Sequence, residues 1–468
     1  MDGFKKEFDV IVVGAGTGGA VAARFAAENG LKVCLIDRKP ETLDPAKVCG
    51  DAVGSEIFDL LGIAHPRGEE LSCHIKGVKL YPPDMRRPLV LIDPKFTGYI
   101  INRSLFGRRL LKEALDAGVS RFMHDTKALD LICHNGSVAG VKVRLSNGDT
   151  AELGAKIVID ASGLYSVLRK NIKSDIIENN FKKEDAVLCY REIVDFPTKA
   201  QKVKDPDYIT IILDHKRAPG GYIWYFPKNE HSLNIGLGVY MDYRDRVREL
   251  YKKSVFNEFV NTKEFEILSS GGGVVPVRRP LWSCADSGIM FVGDAALHVN
   301  PLHGGGIDPS MRAGYHAAMT AVKAIGKGDV SLNALWGYNS AVMKSFGSEF
   351  AGLELLRRVL QSLTNADISF GLNKNLLNAE EVLYIAKTGN IKPTLGKMAL
   401  KAFRGFSRPG FLLNLNYLRI HMNQVITLYR NFPGSNDIEE FESWKQKVGE
   451  QYKKINFLTE KLRSERQV

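Results

Sequence analysis

A chain of 468 residues, 44% hydrophobic and 25% charged, belongs to a folded protein of two or three subdomains and not to a disordered or fibrous class. Its net charge of +11 is modest for this length, so the distribution of charge matters more than the total. The six cysteines (Cys34, Cys49, Cys73, Cys133, Cys189, Cys284) make no CxxC pair and no cluster with histidine at ligand spacing, which argues against a disulfide scaffold and a metal site and for a reducing interior.

The opening residues, MDGFKKEFDV, run straight into a strand without a leader-like apolar core. No apolar run reaches the roughly 18 residues of a membrane span, so an intracellular protein is expected. Residues 9–13, DVIVV, read as a buried parallel strand. GAGTGG (14–19) follows, then a helical pattern ended by Gly30, then KVCLID (32–37), which ends on Asp37. Strand, glycine turn, helix, strand and acid in this order are the dinucleotide-binding fingerprint. Gly14 permits the tight turn, Gly16 lets backbone approach a pyrophosphate, and Gly19 lets helix and strand pack closely. Asp37 is placed to accept from a ribose hydroxyl. The fingerprint does not choose between NAD and FAD. No second GxGxxG follows, so whatever reduces the bound cofactor docks transiently.

KIVIDASG (156–163) is another apolar strand, ending in Asp160 and Gly163. YITIIL (208–213), GYIWYFP and LNIGLGVY (233–240) alternate with period two, as antiparallel strands do. Within PGGYIWYFPK (219–228) that alternation puts Tyr222, Trp224 and Phe226 on one face, and Pro227 closes the run. Taken alone, the run reads as an aromatic core strand. GGGVVPVRRPLW (271–282) leads the chain back to the cofactor domain. IMFVGDAALHVNPLHGGG (289–306) is a strand ending in Gly293-Asp294 and continuing into a glycine loop. Gly304, Gly305, Gly306 and Ile307 bring bare backbone N–H groups up to a ring. The long helix that follows aims its positive end at the loop, an effect of up to ~2 kcal/mol on a developing negative charge. His298 and His303 flank this loop and read as locally hydrogen-bonded residues, not catalysts.

Beyond about residue 330 the chain reads as helices. From Val382 to Asn436 there is no Asp or Glu, while Lys387, Lys392, Lys397, Lys401, Arg404, Arg408, Arg419 and Arg430 are interleaved with large apolar residues. Either this is a solvated basic face, or it lies on anionic lipid, where each cation near the surface contributes ~1 kcal/mol. No nucleic-acid module is present, so nucleic acid is not expected as a partner. The tail after 437 is a mixed-charge helix, packed or frayed.

The fingerprint, KIVIDASG and the glycine-loop segment, in this order, resemble the three FAD motifs of the flavoprotein hydroxylase and reductase superfamily. The resemblance implies FAD laid across one sheet, with Asp294 on the ribityl chain and Arg103, in IINRSLFGRRLL, near the cofactor. Arg38, Asp160, Gly163 and the loop Gly304–Ile307 complete the implied cofactor set. PGGYIWYFP has the form PxxYxWxFP and resembles the signature of geranylgeranyl reductases, which saturate the double bonds of polyprenyl chains. KVCGDAVG (47–54) is similar to that family's cysteine–glycine motif, placing Cys49 and Gly50 beside the flavin. These motifs extend from residue 9 to about 320, and the chain looks most like the archaeal, lipid-directed members.

The fold expected is α/β: a Rossmann-like FAD domain from the discontinuous segments 1–75, 98–175 and 283–335, an antiparallel-sheet substrate domain from 76–97 and 176–282, and a helical, basic region over 336–468. Reducing an isolated alkene requires a hydride on one carbon and a proton on the other. Aromatic faces stabilise partial positive charge on the substituted carbon by about 0.5–2 kcal/mol and keep out water. Tyr222, Trp224 and Phe226 are therefore expected to bind the prenyl chain, with Tyr222 and Trp224 acting in catalysis and Cys49 delivering the proton or tuning the flavin. The plain alternative for Cys49 is a small buried hydrophobe. The external reductant stays open between NADPH, a ferredoxin and a deazaflavin. The location expected is cytoplasmic, peripheral at the inner face of the membrane. A monooxygenase of the same superfamily and a flavin electron carrier are the competing readings.

Overall fold

The computed structural model describes residues 7–40, 48–93, 97–197, 202–254, 264–391 and 407–464. The first strand, Phe8–Val13, is buried along nearly its whole length and pairs in parallel on both sides, with Val33–Ile36 and with Thr150–Asp160. Thr150–Asp160 in turn pairs in parallel with Ile289–Phe291, so the three segments carrying the cofactor motifs lie side by side in one sheet. Burial on both faces explains why these strands are unbroken apolar runs.

Helix Thr17–Glu28 packs on this sheet and against helix Ile307–Gly326. The two approach through glycines: a Cβ on Gly314 would lie 2.3 Å from the Gly18 carbonyl oxygen. That close approach sets the start of the second helix beside the start of the first.

The second sheet runs in the order Glu266–Pro276, Ala186–Asp195, Ser232–Tyr240, Ile223–Pro227, Tyr208–Ile212, Gly77–Tyr81, Leu89–Leu91. Strands Gly77–Tyr81 and Leu89–Leu91 thus join it. One pairing differs from the antiparallel expectation: Tyr208–Ile212 lies parallel to Gly77–Tyr81. The long intervening chain passes through the cofactor domain and returns in the same direction, which a hairpin cannot do. Strand Ala186–Asp195, absent from the sequence reading, sits between Ser232–Tyr240 and Glu266–Pro276.

The C-terminal helices share the cofactor domain's core. Helix Ile438–Ser464 buries Phe441, Trp444, Val448, Ile455 and Leu458 in the same cluster as Phe8 and Ile11. Trp444 donates its indole N–H to Leu428 at 2.9 Å, so this tail is packed, not frayed. Where segments 176–185 and 278–282 meet the helix Ser348–Leu360, Glu178 accepts from Arg278 at 2.6 Å and Arg279 at 2.9 Å, Arg278 reaches Asp185, and Glu354 accepts from Arg358 and the Arg279 backbone. Among the described residues, no helix is long and apolar enough to cross a membrane, and no group of three His, Cys, Asp or Glu is arranged for a metal.

Candidate active site

The three fingerprint glycines have three separate geometric reasons. Gly14 has φ +103°, and a Cβ there would lie 2.5 Å from the Ala161 carbonyl oxygen. A Cβ on Gly19 would lie 1.8 Å from the Gly14 oxygen, so only glycine lets the helix sit this low on the strand. Gly16 faces open space, with nothing within 4 Å of its would-be Cβ. It begins helix Thr17–Glu28 without any side-chain cap, leaving the helix N–H groups for a ligand.

Arg103 stands at that helix start. Its Nη2 donates to Thr17 Oγ1, while Nη1 is buried with no partner among the described residues. An uncapped helix N-terminus beside an unsatisfied guanidinium N–H fits the pyrophosphate of FAD. Asp37 accepts from the Ala15 N–H at 2.7 Å and the Lys39 N–H at 2.8 Å, which fixes the carboxylate at the lip of the turn with lone pairs left for a ribose. Arg38, next to it, is exposed.

Asp160 requires a correction. It is wholly buried, and its oxygens accept from the Ser162 N–H at 2.9 Å and from Ser166 Oγ. Burial pushes its carboxyl above the ordinary range. It cannot touch a ligand and instead shapes the turn containing Gly163, whose φ is +92°.

The glycine loop is held by Asn300. Its Oδ1 accepts from Leu302 and His303, and its backbone exchanges hydrogen bonds of 2.9 Å with Gly305 and Gly304. Gly304 has φ +71°, and Gly306 starts helix Ile307–Gly326 with no side-chain cap. The half-buried Asp294 lies against this start, its Oδ1 3.7 Å from a would-be Cβ on Gly306. His303 accepts the Gly305 N–H at 3.2 Å. His298 is fully buried, 3.4 Å from Cys284 Sγ, and burial holds its pKa at about 3, so it is neutral. His303 thus contacts its own loop, whereas His298 reaches Cys284, 14 residues away, and among the described residues its Nδ1 has no partner.

The aromatic strand meets this loop directly. Tyr222 donates its hydroxyl to the His303 carbonyl at 2.6 Å. Burial, with Cys189 and Cys49 close by, pushes that phenol above its usual range, so it stays protonated. Tyr222 and Trp224 are 6.0 Å apart between ring centroids, Trp224 and Phe226 6.2 Å. Ile223 and Tyr225 belong to the core on the opposite face, as the alternation requires. Glycines make room for the rings. A Cβ on Gly236 would lie 2.2 Å from Trp224, and one on Gly50 2.7 Å from Phe226. Gly50 is thereby pressed onto the aromatic face, with Cys49 next to it packed against the apolar cluster that contains Ile307; Lys47 of that motif lies outside the described residues.

Cys49 Sγ accepts the Asp51 N–H at 3.2 Å. Sequence reading missed the polar set behind it: Asp51, Lys228 and Asn234. Asp51 lies within KVCGDAVG and Lys228 ends PGGYIWYFPK, but nothing in the sequence says that they meet. The structure thus brings together Cys49, Gly50, Tyr222, Trp224, Phe226 and the loop ending at Ile307, with Gly14, Gly16, Gly19 and Arg103 at the start of helix Thr17–Glu28, which packs beside the start of helix Ile307–Gly326.

Fold and cradle define an FAD-dependent oxidoreductase, and residues 9–42 match the model of the FAD dependent oxidoreductase family. Residues 185–275 match the geranylgeranyl reductase catalytic domain. The chain is 34% identical over 446 residues to the digeranylgeranylglycerophospholipid reductase of Sulfolobus acidocaldarius, covering 94% of this chain and 96% of that one. It is 33% identical to the protein of that name from Methanothrix thermoacetophila, over 77% of this chain and 89% of the other. A crystal structure of a geranylgeranyl bacteriochlorophyll reductase-like protein from Thermoplasma acidophilum superposes with a TM-score of 0.73 at 26% identity, covering 88% of this chain and 99% of the other. The chain belongs to the geranylgeranyl reductase family.

Proposed function

We propose that this enzyme saturates the carbon–carbon double bonds of geranylgeranyl chains of membrane lipids or their precursors. The observation that carries this reading is the Tyr222–His303 hydrogen bond, which ties the aromatic face to the loop where a flavin ring would lie. FAD bound at that loop supplies, in its reduced form, the hydride for one alkene carbon. The remaining work belongs to the chain. Tyr222 and Trp224 hold the slender prenyl chain and offer ring faces to partial positive charge on the substituted carbon. Phe226, packed on Gly50, excludes water. Cys49 Sγ delivers the proton, and the Asp51 N–H stabilises the thiolate left behind. Cys49→Ala with unchanged turnover would remove that role. Asp37, Arg103 and the glycines hold the nucleotide, and Asp294 with Gly304–Ile307 the ribityl chain and ring.

The enzyme reduced anaerobically with dithionite is expected to reoxidise on addition of a geranylgeranyl phospholipid, with product mass rising by two hydrogens per step. A flavin that stays reduced until air is admitted would overturn the reading.

The membrane surface is part of the same proposal, with adjusted electrostatics. Lys387 pairs with Asp93 and Arg408 with Asp367, which removes two of the cations from the basic face. Lys392, Lys397, Lys401 and Arg404 lie outside the described residues. What supports docking is the face of helix Pro409–Arg430 that carries exposed Leu413, Tyr417 and Ile420 at helical spacing, beside Arg419. Peripheral binding at the inner leaflet would give the enzyme its substrate. NADPH, a reduced ferredoxin or a deazaflavin docks transiently as donor.

A further inference from the structure

We propose that Asn234 is a positioning residue for the reduction, fixing the Cys49 thiol and the Trp224 indole in one geometry; this rests on the reading of the site as a prenyl reductase. Asn234 is fully buried near the start of strand Ser232–Tyr240, between Leu233 and Ile235. Its Oδ1 accepts the Trp224 indole N–H at 3.1 Å. Its Nδ2 donates to the Cys49 carbonyl at 2.8 Å and to Asp51 Oδ2 at 3.2 Å. The same Asp51 oxygen accepts from Lys228 Nζ at 3.1 Å, and Lys228 also donates to the Ile101 carbonyl at 2.7 Å. Because Lys228 follows Pro227, the aromatic strand closes a ring that begins at Trp224.

Asp51 shows what the ring accomplishes. It is 2% exposed and has φ +67°, a left-handed conformation that a residue with a Cβ adopts at a cost. That conformation aims its N–H at Cys49 Sγ and its carbonyl at the Ile101 N–H. Among the described residues its carboxylate is anchored only through Oδ2, since Oδ1 is buried without a partner. Removing the Asn234 amide leaves Lys228, among the described residues, as the one side chain on that carboxylate, and takes a buried partner from the indole N–H and from the Cys49 carbonyl.

The test uses the full chain loaded with FAD, as parent, Asn234→Asp and Asn234→Leu. Alkylation of Cys49 by iodoacetamide is followed peptide by peptide against pH, beside kcat and KM for a geranylgeranyl phospholipid. Asn234→Asp keeps an acceptor for the indole but sets a carboxylate against Asp51. Two such groups cannot both ionise cheaply. Its kcat should fall roughly tenfold at pH 8 and recover towards pH 6, with KM nearly unchanged, as for an interaction felt in the transition state. The midpoint of Cys49 alkylation should rise by about one pH unit, a tenfold change in the thiol equilibrium. Asn234→Leu should lose kcat at every pH. Should it not fold, Lys228→Met, at the rim of the ring, should shift the alkylation midpoint in the same direction. Parental kcat and parental alkylation profiles in the variants would overturn the proposal. A parent that fails to reduce the lipid would instead overturn the prenyl reading, while the alkylation profiles still decide whether Asn234 governs the thiol.

Discussion

Gly50 faces Phe226 so closely that a methyl group on Gly50 would lie 2.7 Å from the ring's Cε2. The contact joins the cysteine segment to the aromatic strand of the second sheet. A Gly50→Ala substitution must therefore move either the ring or Cys49. Overpacking of this kind costs about 1–3 kcal/mol. Turnover of a prenyl lipid should fall at least several-fold while FAD content stays at the parental level, measured by the flavin-to-protein absorbance ratio. An alanine variant with parental kcat would show that the seam tolerates displacement.

Tyr222 makes the other link, through its hydroxyl to the His303 carbonyl. Tyr222→Phe retains the ring and removes the bond, whose net worth is about 0.5–1.5 kcal/mol. The expected outcome is a modest loss of thermal stability and a lower kcat with FAD retained. Tyr222→Ala should lose far more activity than Tyr222→Phe, because it also removes the ring face. Equal activities in the two variants would assign the effect to the hydrogen bond alone.

Arg103 offers a test of the cofactor cradle that does not depend on turnover. Its Nη1 is buried without a partner among the described residues, at the uncapped start of helix Thr17–Glu28. A hydrogen bond to a charged group is worth about 1.5–3 kcal/mol. Arg103→Met should weaken FAD binding by roughly ten- to a hundred-fold, read from quenching of flavin fluorescence by the apoprotein. Arg103→Lys keeps the charge but loses the fork that also holds Thr17, so partial recovery is expected.

Much of this site was legible because local rules carried it. The fingerprint glycines announce themselves by spacing, and the alternation in YIWYF assigns its own two faces. The glycine loop was visible for the same reason. What stayed hidden depends on distant pairing. Strand Ala186–Asp195 contains Arg191 and Glu192 amid apolar residues, which blurs its alternation. Asn234 lies in a run that reads as a plain buried strand, and its three partners come from residues 10 to 185 positions away. Asp160 was misassigned because an acid at a strand end reads equally well as a ligand contact or a turn anchor. Only its burial and the two serines separate these roles.

The last prediction concerns pH and the buried ion pairs of Glu178. Glu178 sits between Arg278 and Arg279 and also accepts the Trp282 N–H at 2.8 Å. Burial alone would raise its pKa, but the two guanidinium groups and their hydrogen bonds outweigh it and hold the carboxyl at about 2, against 4.5 for a free glutamate. A folded-state pKa below the unfolded value means that the unfolded chain binds a proton first as pH falls. The contribution of Glu178 is therefore fully present above pH 4.5 and is lost progressively as pH drops from 4.5 towards 2. Urea denaturation at pH 7 and pH 3.5 should show the parent losing stability on acidification. Glu178→Gln should be destabilised by about 3 kcal/mol or more at pH 7, because Arg278 and Arg279 lose the carboxylate they share. Its pH dependence between 7 and 3.5 should be flatter than the parent's, since the group that takes up the proton is gone. A parallel acid response in parent and variant would move the acid sensitivity to other carboxylates, with Glu354, hydrogen-bonded to Arg358 and to the Arg279 backbone, next in line.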